Sequence, residues 1–360
     1  MIVNATNIGC NLSGIGRYSH CISEFLLNHW KHPLDLIINA RGSVHFNNYK
    51  NDNRIQIKTG LMSPDHGFRG HLLRLLYSNK LSFSNPNDIL FATSQLEGSL
   101  FNKRQIISIQ DCIPYVFPEY YKRQYYFFKF ILPEILKRSL KIITFSNFTK
   151  SSIMEIYKIP EQKISVIYNG INHVNLYGNL NSRKKDYILY VGRPYPTKNL
   201  GRLIKAFKII TNKNKLGLKL ILTCQKRDVP YDLIKGVEKH IEFAGFVSED
   251  QLAKLYQEAL LFAFPSLCEG FGFPPLEAMV HGCPTVVSNV ASLPEVCGDA
   301  AYFVDPHDEE SIADGIYQVA TNSTLRETLI QKGIKRAKLF TWEESGKEHI
   351  KVFEEILNNS

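Results

Sequence analysis

Two glutamates, Glu269 and Glu277, stand eight positions apart, and the residues between them decide what they can do together. On one unbroken helix that spacing would separate them by about 12 Å along the axis. Gly270, Gly272, Pro274 and Pro275 interrupt any such helix, so the segment reads as a glycine-rich loop entering a helix at Pro275. Proline suits a first helical position because its missing N–H has no intrahelical partner there. Glu277 then falls at about the third helical position, where the peptide dipoles favour a carboxylate by about 0.3–1 kcal/mol. The loop can fold Glu269 back toward the helix start, putting two carboxylates and several open backbone N–H groups in one pocket. Open N–H groups suit phosphate or polarised sugar oxygens. Carboxylates suit sugar and ribose hydroxyls, each charged hydrogen bond being worth about 1.5–3 kcal/mol. The simpler alternative is a capped helix in which Glu277 serves only the dipole.

A second segment supplies the opposite charge. Gly192-Arg193-Pro194-Tyr195-Pro196-Thr197-Lys198-Asn199 follows an expected strand and leads into an expected helix. Ligands of open parallel sheets bind outside the carboxyl ends of the strands, where this loop must lie. Arg193 through its planar fork and Lys198 as a point charge can hold a diphosphate. A merely solvated loop is the alternative.

The elements that must position these groups alternate along the whole chain. Short β-rich runs over 1–7, 34–40, 55–58, 89–93, 106–110, 142–145 and 164–168 are followed by a second series. It covers 187–192, 218–223, 241–244, 261–264, 285–288 and 301–304. Helical patterns such as 200–210 and 249–259 lie between them, which predicts parallel sheets covered on both faces. A polar, asparagine-rich stretch at 172–186 reads as the linker between halves, and 342–357 as a closing helix. A chain of 360 residues with 44% hydrophobic and 21% charged residues fits two soluble globular domains. No apolar run approaches the roughly 18–20 residues that span a bilayer. The first residues read as a buried strand rather than a signal peptide. The seven scattered cysteines form no Cys-x-x-Cys pair, so reduced thiols in a cytoplasmic protein are expected.

Taken together, three segments carry a resemblance: Gly192-Arg193-x4-Lys198-Asn199-Leu200, then Pro265-Ser266-x2-Glu269-Gly270-Phe271-Gly272-x-Pro274-x2-Glu277-Ala278, then Ser292-Leu293-Pro294-Glu295-Val296. This pattern resembles the retaining family 4 of GT-B glycosyltransferases, densely from about 140 to 345 and more sparsely before. The resemblance implies two Rossmann-like doubly wound α/β domains facing across a cleft. They would be an acceptor domain over 1–175 and a nucleotide-sugar donor domain over 176–342, with a helix over 343–360 closing back on the first. It implies that Arg193 and Lys198 bind the donor diphosphate and stabilise the leaving group, that Glu277 takes the ribose hydroxyls, and that Glu269 meets the donor sugar. Gly270, Phe271, Gly272 and Phe273 would line the sugar pocket. Ser13-Gly14-Ile15-Gly16-Arg17-Tyr18 matches the family's glycine loop, so Gly14 and Gly16 would approach the donor phosphates, and Arg17 and Tyr18 the sugar or acceptor. Gln110-Asp111-x-Ile113-Pro114 stands where relatives commonly carry His-Asp-x-Ile-Pro. An amide at 110 can still hydrogen-bond a sugar hydroxyl but carries no charge. Cys224 lies near a position where many relatives have glycine. The donor would be a substrate, with no cofactor and no metal, since the chain has no Asp-x-Asp. Ser-Gly-Ile-Gly-Arg-Tyr and Asp-x-Ile-Pro look most like mannosyltransferases using GDP-mannose, with UDP- or dTDP-sugar donors left open.

The net charge of +9 is uneven: residues 1–180 hold 20 Lys and Arg against 11 Asp and Glu, and residues 181–360 hold 23 against 23. That asymmetry points to an anionic partner of the first half. The segments 67–77 and 120–133 mix aromatic residues with cations, as interfacial helices do. Peripheral association with the inner face of the cell membrane follows, and with it a lipid-diphosphate-linked or oligosaccharide acceptor in O-antigen or capsule synthesis. Ordinary core-facing amphipathic helices are the alternative, and no recognised nucleic-acid motif accompanies the charge. A dinucleotide-dependent oxidoreductase is a rival reading of Gly14-x-Gly16-x-x-Ser19 with Asp35, although Asp35 begins its strand rather than ending it. A non-catalytic scaffold is another.

Overall fold

The computed structural model describes residues 1–172, 184–214 and 216–358. It divides into two compact units, Met1–Gly170 with Thr341–Ser360, and Ile171–Phe340. Of the expected linker at 172–186, residues 173–183 lie outside the described ones, and the last two already belong to a strand.

The first unit is built on seven parallel strands, β1 (Ile2–Asn4), β2 (Asp35–Asn39), β3 (Ile55–Lys58), β4 (Leu90–Ala92), β5 (Gln105–Ile109), β6 (Lys141–Thr144) and β7 (Ile164–Val166). Their order is β3-β2-β1-β4-β5-β6-β7. The central strands β1, β2, β4, β5 and β6 are apolar runs with buried centres, as a sheet covered on both faces requires, and the edge strands β3 and β7 are only partly buried. Strand order reverses between β1 and β4. The chain leaving β1 enters the helix Gly14–His29, whose cap is Ser13: its hydroxyl accepts the Gly16 N–H at 3.3 Å. Gly14 and Gly16 are therefore the first turn of a helix rather than a free loop.

The C-terminal helix Trp342–Asn358 belongs to this unit and lies along Gly14–His29. The fit depends on Gly346, where an added Cβ would sit 2.3 Å from the Phe25 ring. Phe353 packs against Phe91 and Trp30, with ring centroids 4.8 and 5.9 Å away. Fully buried His349 makes the polar tie. Its Nδ1 lies 2.7 Å from the Ser345 carbonyl, which can only accept, so Nδ1 carries the proton and Nε2 accepts from the Tyr18 hydroxyl at 2.8 Å. The Ser108 hydroxyl completes the chain, 2.7 Å from Tyr18.

The second unit repeats the plan with β8 (Lys185–Tyr190), β9 (Lys219–Leu222), β10 (Ile241–Phe243), β11 (Ala259–Phe264), β12 (Thr285–Ser288) and β13 (Tyr302–Val304). All are parallel, in the order β10-β9-β8-β11-β12-β13. Leu203, Ile204 and Phe207 of the helix Leu200–Asn214 meet Ile312 and Ile316 of the helix Glu309–Thr321 in the core on one face of the sheet. Here the order reverses between β8 and β11. The two loops that leave those strands are the ones carrying Arg193 with Lys198 and Glu269.

Candidate active site

Because β8 and β11 are neighbours, their carboxyl-end loops must meet, and they do so through named bonds. The Leu267 N–H donates to the Thr197 carbonyl at 2.8 Å. Asn199 adopts a left-handed conformation (φ 58°) and turns its amide inward, donating to the carbonyls of Pro265 at 2.8 Å and Pro306 at 2.7 Å. One side chain thus fastens the ends of β8, β11 and β13. The Ser288 hydroxyl at the end of β12 reaches the Ser266 carbonyl at 2.6 Å.

This frame brings Lys198 and Glu269 together. Lys198 Nζ donates to both carboxylate oxygens, at 2.7 and 2.9 Å. Glu269 is buried, and its Oε1 also accepts from the Ser266 hydroxyl at 2.6 Å. The amine lies 5.2 Å from the centre of the Phe264 ring. The lysine keeps about a quarter of its side chain open to solvent, while its counter-charge is buried. Buried charges of this kind persist only when paired and hydrogen-bonded.

The loop after Glu269 is shaped for close approach. The Ser292 hydroxyl lies 2.9 and 2.8 Å from the carbonyls of Glu269 and Phe271, holding Gly270 between them. Gly272 has φ +111°, and an added Cβ would come within 2.8 Å of Leu293. No L side chain fits that position without strain. The helix that follows is Phe273–Val280, two residues earlier than the start expected at Pro275. Pro274 and Pro275 occupy its second and third positions, where N–H groups lack intrahelical partners just as at the first. Glu277 consequently sits in the second turn, not the first, and the dipole argument for it falls away. Its carboxylate instead accepts from the Tyr256 hydroxyl at 3.4 Å. Tyr256 in turn stacks on His281, whose Nδ1 lies 2.7 Å from the Glu277 carbonyl. Arg193 is exposed on its loop, its guanidinium 3.5 Å from the Tyr195 hydroxyl.

Among the first-unit residues, Tyr18 requires a correction. Its hydroxyl is bonded to Ser108 and His349 within the core, so it is a packing residue and not a sugar or acceptor contact. Gln110 lies just beyond β5, buried, with its amide N–H donating to the Thr93 carbonyl at 3.0 Å and its Oε1 without a hydrogen-bond partner. One acceptor is therefore open at that position. Asp111 accepts the Ile113 N–H at 2.9 Å. Arg17 follows in the first turn of its helix, its N–H on the Ser13 carbonyl. Among the described residues no group of three His, Cys, Asp or Glu is placed to hold a metal ion. All seven cysteines stand outside any disulfide; burial pushes Cys224 up to about 11 and Cys283 and Cys297 up to about 12.

Sequence reading did not assign roles to Ser266, Ser292, Asn199 or Tyr256. A hydroxyl three residues before a buried carboxylate was visible in Pro265-Ser266-x2-Glu269. The reach of Asn199 to a third strand was not.

Two parallel α/β units, each with one switch point, and a lysine–carboxylate pair held at the second of them define a GT-B protein. The sequence pattern described as "Glycosyl transferases group 1" matches residues 178–336, and that of "Glycosyltransferase Family 4" matches 12–174. The O-antigen chain mannosyltransferase B of Escherichia coli is 32% identical over 267 residues, 70% of each chain. The O-antigen chain mannosyltransferase RfbU of Salmonella typhimurium is 32% identical over 222 residues, 60% of this chain and 61% of that one. The sucrose-phosphate synthase of Thermosynechococcus elongatus superimposes with a TM-score of 0.76 at 16% identity over 100% of this chain and 99% of that one. Anabaena HepE with UDP-glucose gives 0.74 at 16% over 98% and 99%; both likenesses carry the fold. The chain belongs to the family 4 GT-B glycosyltransferases, and it is an enzyme that moves a sugar from a nucleotide-sugar donor to an acceptor.

Proposed function

We propose that the protein transfers mannose from GDP-mannose, with retention at the anomeric carbon and without a metal, to a lipid-linked or oligosaccharide acceptor of a bacterial surface polysaccharide. The observation that carries the chemistry is the bidentate Lys198–Glu269 pair at the β8/β11 switch point. A donor diphosphate arriving there exchanges its oxygens for Glu269 as the partner of Lys198, and Arg193 adds its fork. The leaving group is thereby stabilised as charge develops on it. Glu269, released from the amine and still bonded to Ser266, accepts from the sugar hydroxyls. Glu277 takes the ribose, and the backbone of Gly270, Phe271, Gly272 and Phe273 lines the sugar. Gly14, Gly16, Arg17, Gln110 and Asp111 are the first unit's candidates for donor and acceptor contacts, Gln110 carrying a buried Oε1 without a hydrogen-bond partner. The two relatives named for O-antigen mannosyl transfer support mannose and the pathway.

A panel of nucleotide sugars tests the donor. GDP-mannose at 100 times its Kd should stabilise the fold by about 2.7 kcal/mol, read as a melting shift of several degrees, and should be the donor turned over. A UDP- or dTDP-sugar that stabilises and is consumed instead would replace mannose. Turnover of none of them would remove mannose and put the donor outside the panel. No helix among the described residues is long and apolar enough to cross a membrane, and the positive first half supports peripheral binding. Flotation with vesicles containing anionic lipid should succeed at low salt and fail at high salt; flotation indifferent to both would remove the membrane from the reading.

A further inference from the structure

The first unit contains a groove of about 880 Å³ that the donor chemistry does not use. It lies between the helix Gly67–Ser84 and the segment 119–131, and its size is that of a small-molecule site. Phe68, Leu72 and Leu75 form one wall, and Phe127, Phe130 and Ile131 the other. Phe68 and Phe130, one from each wall, are each about 60% exposed.

The second wall owes its shape to Pro133. That residue has no N–H to give the Lys129 carbonyl, and the chain over Phe127–Ile131 widens into a π-helical turn, with the Leu132 N–H reaching back to Phe127. Such turns recur at functional sites.

Chemistry along the groove changes with depth. At the floor, Arg74 is paired with Glu97 at 2.7 Å and donates to the Met62 carbonyl, so its charge is spent internally. His71 stands edge-on to Phe127, and burial with the nearby Arg74 charge pushes it down to about 4, leaving the ring neutral at physiological pH. At the rim the residues are Glu119, Lys122 and Arg123, a positive balance. Lys129 lies over the rings of Tyr125 and Phe130 at 5.2 and 5.4 Å.

We propose that this groove binds the hydrocarbon chain of a lipid-diphosphate acceptor, with Lys122 and Arg123 meeting its diphosphate. The proposal deepens the transferase reading above and rests on its lipid-linked acceptor. Charge complementarity selects the occupant: neutral aromatic and aliphatic walls end in a cationic rim, and all the net charge of the chain lies in its first half. The walls are helical, so no strand edge is offered to an extended peptide. A concave site takes one chain, whereas a bilayer is met by a convex face.

Binding of a fluorescent geranylgeranyl diphosphate, in buffer without detergent or vesicles, tests this on the full-length protein. Saturable binding is expected. Leu72→Gln and Phe130→Ser, both at exposed positions, should each weaken it at least tenfold, since each methylene removed from contact is worth about fourfold. A Lys122→Ala/Arg123→Ala double variant should weaken the diphosphate several-fold and leave geranylgeraniol unchanged. Absence of saturable binding, or equal binding by all variants, overturns the proposal. So does loss of vesicle flotation in Leu72→Gln and Phe130→Ser with prenyl binding intact, which would make the surface a bilayer face. The transferase reading is scored separately by the nucleotide-sugar melting shift and turnover. If those hold and the prenyl probe fails, only the groove falls; if the probe binds while GDP-mannose is not consumed, only the donor assignment falls.

Discussion

Glu269 is held by one near group, Ser266 three positions earlier, and by one that no local pattern could pair with it, Lys198 71 positions earlier. What the sequence carried was residue type and loop placement, and the parallel sheet supplied the meeting point. Glu269→Gln keeps the volume and the contact with Ser266 but removes the charge that balances Lys198. It should lower kcat/KM by about 10²–10³, the range for losing one preorganised electrostatic contact, with the melting temperature changed little. A steady-state transfer assay beside a melting curve separates the two effects. Tyr18 shows the opposite failure. Its place beside Gly14–Arg17 suggested the site, yet on a helix residues 18, 22 and 26 share one face, and Tyr18, Ile22 and Leu26 are all buried. That period was readable and was outweighed by proximity to a motif. Tyr18→Phe leaves buried His349 and Ser108 without their shared partner. It should cost about 1–3 kcal/mol in urea unfolding and leave the KM for donor where it was.

All thirteen expected strands are present, because runs of branched apolar residues between polar turns have few other uses in a sheet buried on both faces. Strand order was not legible, and it is the order that makes the β8 and β11 loops neighbours. The helix at 273 was placed late for a local reason. Prolines are equally tolerated at the first three helical positions, so Pro275 did not mark the start, whereas Gly272 with its positive φ did. Asn199 works at this scale, since its amide spans Pro265 and Pro306. Asn199→Ala strands two buried carbonyls and puts a Cβ without local hydrogen bonding into a left-handed residue. About 2–4 kcal/mol should be lost, and activity should fall with it because Lys198 is the next residue. Preserved stability and turnover in that variant would show the loops to be fastened by other means.

At the scale of the whole chain, the first unit is completed by residues that come last in sequence, a helix whose apolar spacing was visible but whose polar anchor was not. His349 is wholly buried, and burial pushes its imidazole down to about 4 from the ordinary 6.5. His71, half-buried in the groove, is shifted the same way. The unfolded chain therefore takes up protons below about pH 6.5 that the folded chain refuses until about pH 4. Stability from these groups is fully present above 6.5 and is lost as pH falls through that window. For His349 the loss is on the order of a few kcal/mol, and less for His71, where water screens the charge. Asp52, held low by Arg54, and Asp65, held low by Ser63, add their losses only below about pH 4. Urea unfolding followed from pH 7.5 to 4.5 should thus show a falling midpoint well before Asp52 and Asp65 titrate. In His349→Gln the midpoint should start lower, because the contact with Tyr18 is altered, but fall less steeply across the same range. Protonation frees the Tyr18 hydroxyl and places a cation between Phe91 and Phe353, so the helix Trp342–Asn358 should be the first element to lose amide-exchange protection as the medium is acidified. A midpoint that stays level from pH 7 to 5 in the unaltered protein would mean that His349 is reached by water before the rest of the unit opens.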